Sequence, residues 1–254
     1  MNKKFLLRLG GIVALIALLE IVPAVGLVDE RSVPRVSTIA SDLAARVQTP
    51  EFWIVFFQTL QTWLSGLAIA SVAGVILGLF IGSIPLVQRY LATTIEFLRP
   101  IPSVALIPLA ILLLGTGMQS TLLIVVYASF WPILLQAIYG VQDVDPVLRD
   151  TAKMFRFRPF SVAYEVSWKT ALPYIVTGMR LAASISLILT LTGEMLIGTP
   201  GLGQVLARAQ QSASVVGVYS IVVIAGVLGV TANLVTRALE RRVLHWHTSV
   251  RAEQ

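Results

Sequence analysis

Few residues of this 254-residue chain are equipped for chemistry, and their spacing narrows the choice further. His245 and His247 flank Trp246 near the C-terminus, with no second group of ligand-type residues to complete a metal site. The absence of cysteine removes thiol nucleophiles, cysteine metal sites and disulfides together. No Gly-x-x-x-x-Gly-Lys-Ser/Thr occurs, so the chain lacks that means of cradling ATP phosphates. No His-Glu-x-x-His or serine-hydrolase pattern marks a hydrolytic centre either. What remains is a handful of ionisable residues within apolar stretches: Glu20, Glu96, Arg99, Arg180 and Glu194. A charge at the bilayer centre costs roughly 2.5–3.5 kcal/mol on insertion scales, so such residues face a cavity or partner, or snorkel to the interface. Arg180 lies about 10 Å along a helix beyond Pro173, where headgroups are still within reach; function and snorkelling both fit it. Glu194 precedes Ile197-Gly198-Thr199-Pro200-Gly201 and reads either as an interfacial carboxylate or as part of a polar lining.

The elements that carry these residues are set by composition. Hydrophobic residues make up 56% of the chain and charged residues 13%, with a mean hydropathy of +0.84, so the bilayer is the main solvent. A spanning helix needs about 20 apolar residues. Runs at 6–28, 52–84, 91–114, 121–140, 171–197 and 216–237 predict an all-α membrane protein with six transmembrane helices. The first run follows Lys3 and Lys4 like a signal peptide, but it is long for one and ends at a poor cleavage site, which favours a retained anchor. An internal N-terminus gathers Lys3, Lys4, Arg8, Arg89, Arg99, Arg149, Lys153, Arg156, Arg158, Lys169 and the tail arginines on the cytoplasmic side. Only Arg31, Arg35, Arg46 and Arg208 then lie outside. This predicts a multi-pass protein of the cell (inner or plasma) membrane with both termini cytoplasmic. The net charge of +6 needs no nucleic acid, because the cations sit at the ends of apolar runs and not on one face. Gly66, Ala70, Gly74, Gly78 and Gly82 recur every four residues, a stripe for close helix approach to a neighbour in the same chain or in a second copy.

Between the fourth and fifth runs the pattern breaks. Asp150-Thr151-Ala152-Lys153-Met154-Phe155-Arg156-Phe157-Arg158 is basic, aromatic and helical in character, and continues through Trp168-Lys169 to Ala171-Leu172-Pro173. A segment of this kind lies in water, against a soluble partner or on anionic lipid.

This segment resembles the EAA loop of ABC importer permeases, the binding-protein-dependent transport inner-membrane components. That loop reads Glu-Ala-Ala, three residues, Gly, nine residues, then Ile-x-Leu-Pro; the nitrate, sulfonate and taurine branch adds a second Ala-Leu-Pro four residues on. Aligned on Ala171-Leu172-Pro173, the chain has Asp150 for Glu, Thr151 for Ala, Arg156 for Gly and Trp168-Lys169 for the first Leu-Pro. The flanks are similar to the same branch in order: Leu98-Arg99-Pro100-Ile101-Pro102, Ala105-Leu106-Ile107-Pro108, Phe130-Trp131-Pro132-Ile133, Gly178-Met179-Arg180-Leu181-Ala182, Gly193-Glu194-Met195 and Gly201-Leu202-Gly203.

The resemblance implies a type I ABC importer permease fold with a cytoplasmic coupling helix between helices four and five. It implies a homodimer with a second permease copy, a cytoplasmic ABC ATPase dimer carrying ATP and Mg, and an extracytoplasmic substrate-binding protein. The chain itself would bind no cofactor and catalyse nothing. The coupling residues would be Asp150, Thr151, Ala152, Met154, Phe155, Arg156, Phe157, Arg158 and Pro173, with Met154, Phe155 and Phe157 supplying apolar contact. The implied cargo is a small, anionic solute. On this reading residues 1–51 form an N-terminal transmembrane helix and external loop, 52–245 the permease core with its loop at about 143–170, and 246–254 a cytoplasmic tail.

Pro100, Pro102 and Pro108 break the helix entering the third span, and irregular backbone in a membrane is tolerated where it lines a cavity. A translocation path is therefore expected near Ile101, Ser103, Tyr127, Ser129 and Phe130, with Arg180 and Glu194 as further polar candidates; ordinary helix kinks are the rival reading. Two other functions are weighed: a secondary transporter, whose ion site would have to use Glu20, Glu96 or Glu194, and an intramembrane enzyme.

Overall fold

In the computed structural model, residues 3–155 and 167–245 are described, and every statement below concerns them. The elements are helical throughout: α1 (Lys3–Ala24), α2 (Val36–Val47), α3 (Pro50–Ser83), α4 (Pro85–Leu98), a 3-10 turn (Ser103–Leu106), α5 (Ile107–Leu114), α6 (Met118–Gln142), α7 (Pro146–Met154), α8 (Lys169–Ile197), α9 (Leu202–Gln211) and α10 (Val215–Val243). Prolines without an N–H to pair open α3 at Pro50 and α4 at Pro85, and α8 ends at Gly198 in the left-handed conformation.

Four helices, α3, α6, α8 and α10, are each long and apolar enough to cross a bilayer. A fifth crossing exists if α4 and the Ser103–Leu114 segment count together, but these meet at an angle of 81°. The unbroken third span expected at 91–114 is thus an elbow. Pro100 and Pro102 cannot continue the hydrogen-bond ladder of α4, and Pro102 sits in an extended conformation at the start of the 3-10 turn. In α1 the apolar stretch described with its side chains is Val13–Ala24, shorter than a span.

Helix α6 is the centre of the bundle, sandwiched between α3 and α8. The four-residue stripe of α3 faces α6 of the same chain: a Cβ on Gly78 would meet Ala137 Cβ at 2.5 Å and Leu134 O at 2.7 Å, and one on Gly66 would meet Val125 Cγ1 at 2.5 Å. Ala70, in the same stripe, packs with Ile133 and Ala182, so three helices converge there. A second core joins α3, α8, α9 and α10 through Phe52, Trp63, Leu187, Leu202, Ile221 and Leu228. Within it the Trp63 indole N–H is 2.8 Å from Ser186 Oγ and 3.0 Å from Ala183 O.

Candidate functional site

The elbow borders an open cavity of about 500 Å³ lined by α6, α8 and the residues between α4 and α5. Tyr127 on α6 fixes its position, donating its phenol O–H to Leu98 O, the carbonyl that also accepts from Ile101 N. Ile101, Ser103 and Tyr127 line this cavity, with Trp131, Gln136 and Tyr139 further along α6. The Trp131 ring meets Tyr127 edge-on at 5.8 Å and Phe130 at 5.2 Å, while its buried indole N–H has no acceptor among the described residues.

Arg99 is the cation on the wall, and the sequence placed it with the residues at the cytoplasmic face. The cavity is lined from α6 by residues from Tyr127, near the middle of the helix, to Tyr139, close to its C-terminal end, and Arg99 stands on this wall as an exposed residue. A second cavity of about 600 Å³ adjoins on the α4 side, where Gln88, Glu96 and Arg99 are its polar residues. The signal that could have found Arg99 was its position between the last residue of α4 and Pro100, at the break itself.

Other path candidates lie elsewhere. Ser129 is fully buried, and its hydroxyl has no partner among the described residues. Phe130 borders a separate, apolar cavity with Leu122, Leu123 and Val126. Arg180 Nη1 pairs with Glu240 Oε2 at 3.2 Å, joining α8 to α10. Glu20 leaves its own helix to accept hydrogen bonds from Ser37 N at 2.9 Å and Ser37 Oγ at 2.7 Å in the first turn of α2.

Glu194 is the centre of a buried polar knot at the α8–α9 end. Its Oε2 accepts from Thr59 Oγ1 at 2.9 Å and Gly203 N at 2.9 Å, and Thr59 Oγ1 in turn accepts from Leu202 N at 2.8 Å. The carboxyl and the Thr59 hydroxyl thereby satisfy the Gly203 and Leu202 amides, free donors in the first turn of α9 that no preceding side chain caps. Such an approach demands glycine on both sides: a Cβ at Gly201 would lie 2.2 Å from the Glu194 carboxyl carbon, and one at Gly203 would lie 2.2 Å from Leu191 O. Beside the knot Thr121 and Thr199 hydroxyls meet at 2.7 Å.

At the opposite end α6 and α8 are tied by the Tyr174 O–H, which donates to Asp143 Oδ2 at 2.7 Å. Between these anchors stands α7, with Asp150 and Thr151 on its exposed surface and Met154 and the following Phe155 85% and 72% exposed. Ala152 belongs to the same helix, Pro173 lies inside the first turns of α8, and Arg156, Phe157 and Arg158 fall outside the described residues.

Long apolar helices around a broken pair, with polar groups gathered on the cavity beside it, define a multi-pass membrane protein. The chain belongs to the family described as "Binding-protein-dependent transport system inner membrane component", whose model matches residues 70–245. It is 25% identical to an aliphatic sulfonates transport permease of Bacillus subtilis (strain 168), over 92% of this chain and 85% of that one. It is 28% identical to the taurine transport system permease of Escherichia coli (strain K12), over 78% of this chain and 72% of the relative. For a nitrate import permease of Synechocystis the identity is 27%, over 75% and 70%. In fold it is similar to a chain of the inward-facing MetNI methionine ABC transporter, with a TM-score of 0.63 at 16% identity, covering 77% of this chain and 99% of that one. A chain of an amino acid ABC transporter gives 0.62 at 20% identity, over 79% and 97%.

Proposed function

We propose that this chain is the transmembrane permease subunit of an ATP-driven ABC importer for a small anionic solute: nitrate, a sulfonate, taurine or a related organic acid. The solute class is supported by the three relatives named for such anions. The observation that carries the coupling role is α7. It presents Val147, Leu148, Met154 and Phe155 to the surroundings, in a stretch whose sequence is basic. Burying one such side chain in a partner's cleft is worth about 1.5–3 kcal/mol, and Asp143–Tyr174 joins the two helices that a pull on α7 would move. The chain has no phosphate-cradling motif, so ATP and Mg belong to a partner ATPase.

In this reading α1, α3, the α4–α5 pair, α6, α8 and α10 make six crossings with both termini in the cytoplasm. Residues 1–51 form the leading helix and external loop, 52–245 the core with its coupling loop at 143–170, and 246–254 the tail. Two copies form a homodimer that receives solute from an external binding protein. Asp150, Thr151, Ala152, Met154, Phe155, Arg156, Phe157, Arg158 and Pro173 couple to the ATPase; Ile101, Ser103, Tyr127, Ser129, Phe130, Arg180 and Glu194 form or support the path.

The test is reconstitution of this chain with the ATPase and binding protein encoded beside it. The expected result is copurification and ATP-dependent uptake of nitrate, taurine, ethanesulfonate or benzoate. Uptake that survives ATP depletion but collapses with the proton or sodium gradient would replace this reading with a secondary transporter.

A further inference from the structure

Two cations, Arg99 at the elbow and Arg180 on α8, are in opposite electrostatic states. Arg180 is neutralised by Glu240 at 3.2 Å. Arg99 takes part in no ion pair among the described residues. It borders both cavities at the elbow, and the first of these has no carboxylate on its wall. Arg99 is exposed on this wall, so water or a counter-ion reaches its charge. The guanidinium is planar and offers paired N–H donors matched to the oxygens of a carboxylate, sulfonate or nitrate. Ser103, Gln136 and Tyr139 add neutral polar groups on the same wall, and a space of about 500 Å³ exceeds what a solute of this size needs.

We propose that Arg99 is the anion-selecting residue of the translocation path. An oxyanion crossing the bundle pairs with it at the elbow and then leaves. One cation without a closed cage of further charges suits transit, because a site in a path must release what it admits. Tyr127 acts as the positioning residue: its bond to Leu98 O holds the backbone immediately before Arg99 against α6. The inference rests on the anionic-solute reading above. The same chemistry would also attract a lipid phosphate, and the experiment separates the two sources.

The complete complex of permease, ATPase and binding protein is reconstituted in vesicles and assayed with labelled nitrate, taurine, ethanesulfonate and benzoate. If the unsubstituted complex moves none of them with ATP, the anionic-solute reading falls and this proposal falls with it. If it moves one, Arg99→Gln is expected to lower that uptake on the order of tenfold, the worth of one charge-assisted pair. Arg99→Lys should retain part of the uptake, with ATPase copurification and solute-free ATP hydrolysis unchanged in both variants. Because the chain has no cysteine, Arg99→Cys introduces its single thiol. A cationic aminoethyl methanethiosulfonate should restore uptake and an anionic sulfonatoethyl reagent should not, with the treated unsubstituted complex as control. The transported anion should slow the labelling. Wild-type uptake by Arg99→Gln, equal rescue by both reagents, or labelling slowed by anionic lipid but not by the anion would each overturn the proposal.

Discussion

Glu194 shows how a conspicuous residue can be visible in the sequence while its role is not. An acid near the end of an apolar run stands out, but Thr59 is 135 residues away, and the glycines that admit the carboxyl have no meaning until α9 folds back onto α8. Glu194→Ala should leave the Thr59 hydroxyl and the Gly203 amide without their acceptor, at about 1–3 kcal/mol for each buried unpaired group. The check is a lowered Tm in detergent, with a smaller loss for Glu194→Gln, which keeps an acceptor oxygen. Asp42 on α2 titrates by a different balance. Partial burial is the largest single effect and pushes its carboxyl up, but the hydrogen bond from Arg46 Nε at 2.6 Å, the Ser220 hydroxyl and the Arg46 charge together outweigh it and hold the carboxyl below its ordinary value. A depressed carboxyl contributes stability above its unfolded pKa and loses it as pH falls through the folded one. The stability gap between the wild type and Asp42→Asn should therefore be full near neutrality and close below about pH 4.

At the scale of elements, hydropathy located the long helices well because each buries a whole run of apolar side chains. The ends of 52–84, 121–140 and 171–197 fall within a few residues of α3, α6 and α8. It failed at 91–114, where averaging over a window hides two prolines that turn the chain by 81°. The small-residue stripe was legible as a packing surface, but its partner was not, since close approach looks the same within a chain and between copies. The structure assigns the stripe to α6, which yields a sharp contrast. Gly78→Leu should drive α3 from α6 and cost about 1–3 kcal/mol or more, while Gly226→Ala, with nothing within 4 Å of its new Cβ, should leave Tm unchanged. For α7, Phe155→Asp places a charge where an apolar contact with the ATPase is proposed. Substrate-stimulated ATP hydrolysis should fall about tenfold or more while vesicle insertion is retained, a loss consistent with one buried aromatic. Unchanged stimulation would remove α7 from the coupling role.

At the scale of the whole molecule, the fold is a bundle closed differently at its two ends. One end is tied by the Glu194 knot, the other by Asp143–Tyr174 and Arg180–Glu240, with the elbow cavity between them. Tyr174→Phe removes one tie without changing ring size, and should loosen the link between α6 and α8 with little loss of fold. The measurement is solute-stimulated over basal ATPase in the assembled complex, where the ratio should drop and Tm should hold. Native mass spectrometry of that complex should give two copies of this chain for every two ATPases. The elbow has a further consequence for how such a chain is inserted at all. Each amide that enters hydrocarbon unpaired carries a penalty of several kcal/mol. Proline has no amide hydrogen, so at positions 100 and 102 the donors that a sharp bend would have stranded are missing from the covalent structure. Arg99 N and Ile101 N, the intervening donors, find Ile95 O and Leu98 O within 3.2 Å. The bend is thus admitted to the membrane by subtraction, and restoring the usual backbone with Pro100→Ala or Pro102→Ala would add a donor that only water in the adjoining cavities could satisfy.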